Sequence, residues 1–178
     1  IMIGQDERAL GRAGLGELVG DGPVAFVTGG HSGTGKENAP LDEDAIRAAV
    51  EKHSGYVQAF AVAGYFSVRN PSHENRARDI IREMSGLPVT CSHELTSSLD
   101  APRRALTTLI NARLIPLLQG LILSVQGLMD ERSIKAPLMV VRGDGSLIAA
   151  QSALERPVET ILSGPAAREY MDVKLFED

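Results

Sequence analysis

Several short stretches of this chain carry residue types that could do chemistry. The first is Gly30-His-Ser-Gly-Thr-Gly-Lys36, which follows the apolar run Val24-Ala-Phe-Val-Thr28 and nearly spells a phosphate-binding P-loop. A working P-loop needs Ser or Thr directly after its Lys to hold magnesium. It also needs a helix starting there, so that free N–H groups point at phosphate. Here Glu37 follows Lys36, and Pro40 with the acidic run Asp42-Glu43-Asp44 moves the helix start several residues on. The stretch reads instead as a flexible surface loop with His31 as an exposed turn residue. A nucleotide hydrolase built on Lys36 is the weaker alternative.

The second stretch, Ser67-Val-Arg-Asn-Pro-Ser-His-Glu74, lies at a strand-to-helix junction, where open α/β sheets bind ligands. Arg69, Asn70 and His73 are its candidates for nucleotide, substrate or interface contact. The structural reading has Asn70 capping the helix and Glu74 complementing its N-terminus. Ser92-His-Glu94 repeats the His-Glu pair after a second apolar run, yet neither pair has the i, i+4 spacing that sets two histidines on one helix face. No metal site is expected. Ser97, Ser163 and Cys91 lack the sequence context of a nucleophile, so no catalytic residue is assigned. Cys91 reads as a small buried hydrophobe. Arg142-Gly-Asp-Gly-Ser146 places Asp144 either in a hairpin turn or near a nucleotide, with the turn favoured. Ser163 and Gly164 precede Pro165, a residue suited to the first position of a helix whose N–H groups could face an anion.

The elements that must position these residues alternate. Val24–Thr28, Phe60–Phe66 and Pro88–Cys91 read as strands, and helices begin near Asp42 and Asn70. Beyond Asp100 a helix is expected over 101–132, about nine turns or roughly 45 Å, with apolar residues at a helical period from Leu106 to Met129. Pro116 predicts a kink near its middle. Leu138–Arg142 and Ser146–Ala149 pair through Asp144-Gly145 as a hairpin. The pattern is α/β with one long helix, read as a single segment over 1–178 in which the 101–132 helix is a subdomain divider.

A net charge of −5 with no Lys/Arg block excludes a general nucleic-acid binder. One cysteine excludes an internal disulfide and a multi-cysteine zinc site, and fits a reducing cytoplasm. The chain starts Ile1-Met2-Ile3 without a basic, then apolar, signal pattern, which suggests residues missing upstream. Leu114–Met129 is interrupted by Pro, Gly and Gln and reads as too polar for a membrane span.

Taken in order, Phe26-Val-Thr-Gly-Gly-His31 with Ala39-Pro-Leu-Asp42, Gly64–Glu74, Gly86–Leu95, Pro102–Thr108, Asn111–Pro116, Ala136–Ser146 and Pro157–Ala167 resemble the hydantoinase/oxoprolinase family, in particular its N-methylhydantoinase A type of subunit. The resemblance implies a segment of an actin-like (ribonuclease-H-type) ATPase fold. It implies ATP-driven opening of a small cyclic amide, with ATP and magnesium serving the full-length protein. A related acetone or acetophenone carboxylase subunit and a non-catalytic assembly module are the alternatives. The partner implied is a second hydantoinase-type subunit or a fused domain, alongside self-association. The family's two Asp-x-Gly-Gly-Thr phosphate loops are absent from this sequence. The isolated chain is therefore expected to bind no cofactor and to be inactive.

Overall fold

The computed structural model describes residues 1–154 and Thr160. Two compact units are present, one from Ile1 to Arg113 and one that starts at Leu114.

The first unit is built on four strands: β1 (Met2–Ile3), β2 (Phe26–Val27), β3 (Phe60–Gly64) and β4 (Val89–Cys91). They are all parallel, in the order β2-β1-β3-β4. Side chains alternate across a strand, so Met2 and its partner Ala63 face one side while Ile3 and Val62 face the other. The Ile3 side is covered by α2 (Glu43–His53) and α3 (Ser72–Ser85), which bury Ile46, Val50, Ala77, Ile80 and Ile81 against Val27 and Val62. Each fully buried Ile or Val contributes about 1.5–3 kcal/mol relative to exposure. The Met2 side is covered by Leu15 of α1 (Leu15–Val19), by Ala9, and by Ala105 near the start of α5 (Ala101–Glu131).

Local chemistry sets the boundaries. Asp42 accepts from the Ala45 N–H at 3.0 Å and caps α2. Asn70 Oδ1 accepts from the Ser72 N–H at 3.1 Å, so α3 starts two residues after Asn70. Asp100 accepts from the Arg103 N–H at the head of α5. The connection from β1 runs to one edge of the sheet and the later ones to the other, so strand order reverses between β1 and β3. The carboxyl ends there are Gly4 and Tyr65.

In the second unit, β5 (Met139–Val141) and β6 (Leu147–Ala149) pair antiparallel, with Val140 opposite Ile148, and lead into α6 (Ala150–Ala153). The boundary between units falls inside α5, which runs as helix through Pro116. Beyond that boundary Leu117, Leu121 and Leu128 are exposed. Contrary to the reading of Leu114–Met129 as too polar, α5 as a whole is long and apolar enough to cross a membrane, with mean hydropathy 1.5 over 18 residues. The full helix adds Ala, Leu and Ile on the N-terminal side of the interrupted stretch. Its first turns, however, carry Arg104, Ala105, Thr108 and Asn111 into the interior of the first unit, as the core helix of a soluble domain does.

Candidate functional site

The glycine-rich stretch after β2 is an ordered turn. His31 and Glu37 form an antiparallel bridge, the Ser32 N–H donates to the Lys36 carbonyl at 2.8 Å, and the Gly35 N–H donates to the Ser32 carbonyl at 2.9 Å. These N–H groups are used within the turn, and α2 starts only at Glu43. The stretch therefore does not fit a nucleotide phosphate, and no step through ATP falls to it. His31 is buried at 2% exposure, not an exposed turn residue. Its N–H donates to the Tyr65 carbonyl, its Nε2 lies 3.2 Å from Ser72 Oγ, and its ring lies 4.3 Å from that of His73. Burial, followed by the nearby His73, pulls the His31 pKa below the usual histidine value. His73 Nδ1 accepts from the Gly30 N–H at 3.0 Å, so its Nε2–H donates to Glu37 Oε1, also at 3.0 Å. The loop is thus fastened to the β3–α3 junction.

Glu74 lies in the first turn of α3, as read from sequence, but its carboxylate is bound elsewhere. It is fully buried and joins the ends of β3 and β4. Oε1 accepts from the Gly64 N–H at 2.5 Å and from Ser92 Oγ at 2.6 Å, while Oε2 accepts from the His93 N–H at 3.0 Å and from His93 Nδ1 at 2.5 Å. Burial alone would raise its pKa, but the hydrogen bonds from His93, Ser92 and Gly64 outweigh that and hold the carboxyl below its ordinary value. Arg104, also fully buried, donates to the Gly64 carbonyl at 2.6 Å, the Ser98 carbonyl at 2.7 Å and Ser92 Oγ at 3.2 Å. Burial lowers the Arg104 pKa, and the charges of Glu74 and Asp100 oppose that shift. Ligand atoms of Glu74, Cys91 and His93 lie within 4.8 Å of one another, a donor set suited to a transition metal. Both Glu74 oxygens already accept two hydrogen bonds, however, and the Cys91 thiol donates to the Glu74 carbonyl. Burial, with Glu74 adding to it, pushes that thiol's pKa well up. A cation would have to displace this network, so the arrangement reads as a closed structural hub.

Where strand order reverses, a cleft of about 540 Å³ opens between the segment after β1 and Tyr65 after β3. Gly4, Gln5, Arg8, Arg12 and Pro102 are among its walls. Gly4 sits at φ +68°, and a Cβ there would lie 2.6 Å from the Gly29 carbonyl oxygen, so the two loops meet as bare backbone. Open parallel sheets bind ligands at this position, outside the carboxyl ends at the order reversal.

Comparison with known proteins assigns the family. A family model described as the hydantoinase/oxoprolinase N-terminal region matches residues 11–85, and one described as hydantoinase/oxoprolinase matches residues 104–168. The chain belongs to the hydantoinase/oxoprolinase family. Among its relatives is the caprolactamase subunit alpha of Pseudomonas jessenii, 37% identical over 135 residues, which cover 75% of this chain and 19% of that protein. Another is the acetophenone carboxylase gamma subunit of Aromatoleum aromaticum, 33% identical over 82 residues, or 42% of this chain and 11% of that protein. The crystal structure of the ATP-dependent caprolactamase from Pseudomonas jessenii superposes with a TM-score of 0.73 at 35% identity, covering 80% of this chain and 21% of that one. A nucleotide-free acetone carboxylase structure does so with a TM-score of 0.61 at 25% identity, covering 84% and 22%. The chain thus spans about a fifth of the length of caprolactamase alpha. Its fold is a segment of the α/β, actin-like (ribonuclease-H-type) ATPase fold with one long helix.

Within this hydantoinase/oxoprolinase segment the residues singled out from sequence separate. Asn70 and His73 both contact the glycine-rich turn, Asn70 through Nδ2 to the Gly35 carbonyl at 3.1 Å. Arg69 is exposed beside them. Asp144 belongs to the second unit, where its Oδ1 accepts from the Ser146 N–H at 2.9 Å and Oγ at 2.6 Å, an arrangement that closes the hairpin turn. Those bonds, with Arg142 adding to them, lower its pKa. Ser163 and Gly164 lie outside the described residues. Sequence reasoning missed Arg104, Thr108 and Asn111. Their i, i+4, i+7 spacing on an otherwise apolar helix was the signal of an inward polar stripe. It also missed Arg8 and Arg12, which follow a strand too short to register.

Proposed function

We propose that this chain is the central part of an N-methylhydantoinase A-type subunit that opens small cyclic amides with ATP. The observation that carries the reading is its 37% identity to a caprolactamase alpha subunit along three quarters of its length. In this reading ATP and magnesium are held by parts of the full-length subunit other than the Gly30–Lys36 turn. The partner is a second hydantoinase-type subunit or fused domain, since the relatives carry subunit names. The protein acts in the cytoplasm, and the isolated chain is inactive. The exposed leucines of α5 are offered for assembly, including self-association.

The test is to purify the full-length subunit with its partner and follow phosphate release with caprolactam, hydantoin and 5-oxoproline. ATP-dependent ring opening of at least one is expected. Turnover of acetone or acetophenone with bicarbonate instead would favour the second reading, a ketone carboxylase subunit, which the acetone carboxylase likeness supports. Calorimetric titration of Mg-ATP into the isolated chain is expected to give no binding heat. Clear one-to-one binding would overturn the assignment of nucleotide binding elsewhere.

A further inference from the structure

The cleft at the β1/β3 order reversal has features that the structural hub lacks. The hub around Glu74 is saturated with hydrogen bonds, whereas the cleft holds an uncommitted charge. Arg8 is spent on Asp6, to which it donates through Nε at 2.9 Å and through Nη2. The Arg12 guanidinium donates no hydrogen bond and forms no close ion pair among the described residues, although its charge is felt by Asp6. The walls therefore present two guanidinium groups against the one carboxylate of Asp6. Ala9, Tyr65 and Pro102 add apolar surface.

The floor is rigid. Gln5 Nε2 donates to the Ala63 carbonyl at 3.2 Å, the Tyr65 N–H donates to the Ile3 carbonyl at 2.9 Å, and Gly4 packs against the Gly29 backbone. A preformed cleft of this volume matches the size of small-molecule sites. Guanidinium groups select planar carboxylates and phosphates through paired N–H donors.

We propose that this cleft binds a small anion, a carboxylate or phosphate carried on a short apolar body, with Arg12 as its charge partner. The chain's net charge of −5 works against casual anion adsorption, so recognition rests on the local guanidinium and the shaped wall. The site stands apart from the Gly30–Lys36 turn, and it does not depend on which ring the full-length subunit opens.

The experiment is an amide-resolved NMR titration of the 178-residue chain with glutarate and, separately, with inorganic phosphate, at constant ionic strength. Saturable shifts at Gly4, Gln5 and Tyr65 are expected, with a dissociation constant on the order of millimolar. Arg12→Ala should weaken binding about fivefold or more, and Arg12→Lys, which keeps the charge but not the fork, should fall between. Lys36→Ala should bind as the unaltered chain does, and the amide spectrum of each variant reports its fold directly. Response to glutarate alone assigns a carboxylate, and response to phosphate alone assigns a phosphate ester. Absence of saturable shifts with both ions, unchanged binding in Arg12→Ala, or shifts confined to Gly30–Lys36 would each overturn the proposal.

Discussion

Replacing Glu74 with Gln keeps the shape of the side chain and removes one charge from the centre of the hub. The carboxylate receives four hydrogen bonds, two on each oxygen. An amide can accept only on its oxygen. If that oxygen stays toward Gly64 and Ser92, two charge-assisted bonds become neutral ones, each weaker by about 0.5–1.5 kcal/mol. The amide nitrogen then faces His93. The imidazole can change tautomer and accept on Nδ1, but the part-buried His93 backbone N–H is left without a protein partner, at about 1–3 kcal/mol. Arg104 also loses a countercharge. The sum is a destabilisation of about 2–6 kcal/mol, large against the total stability of a domain this size. Urea unfolding followed by circular dichroism measures it, the midpoint falling while the slope holds. A loss below about 0.5 kcal/mol would refute the reasoning, because it would mean the hub is solvated or Glu74 is already protonated.

Three further outcomes follow from the same geometry. Gly4→Ala must place Cβ against the Gly29 carbonyl at positive φ, and it should cost about 2–4 kcal/mol. Gly14→Ala has a similar φ with open space around it and should cost about 1 kcal/mol; equal losses in thermal melts would disprove the close-approach account. Cys91, fully buried with its thiol pKa pushed up, should stay inert to an aromatic disulfide reagent in the native chain and react as urea unfolds it. Stability should fall in two stages as pH drops. The lowered His31 pKa means that the unfolded state takes up a proton first, so the loss begins near the ordinary histidine value of about 6.5. The lowered Glu74 pKa makes its contribution full above the ordinary carboxylate value, and that contribution is lost as pH falls through the folded value. Melting temperatures that stay flat between pH 7 and 5 would contradict the His31 sign, and a curve that stays flat from pH 5 to 2 would contradict that of Glu74.

The strands and helices that sequence made legible were those marked by an apolar run or a helical period: β2, β3, β4, α2, α3, α5 and the hairpin. The central strand β1 was not, because two residues carry no periodicity and its place is fixed only by pairing with β2 and β3 on both sides. The site divides the same way. The cap that Asn70 makes was foreseeable from a Pro-marked helix start, whereas the contacts of Asn70 and His73 with the glycine-rich turn were not. Glu74 looked like a dipole partner because its true partners, Gly64, Ser92 and His93, are brought to it only by the parallel crossover. His31 looked exposed because glycine-rich loops usually are. Its burial depends on Tyr65 and Ser72, which no local pattern links to it.

The reach of Arg104 has a consequence for the order in which the chain folds. Its partner carbonyl at Gly64 is 40 positions away in sequence, and Ser92 is 12 away. Neither can be met until β3, β4 and the head of α5 have docked, so this knot is expected to close late, which a φ-value near zero for Arg104→Ala in a chevron analysis would report. An interaction absent from the transition state sets the escape rate and leaves the folding rate alone. With such a φ-value, Arg104 and the groups it holds would act as a latch, governing how long the first unit persists once made more than how fast it forms.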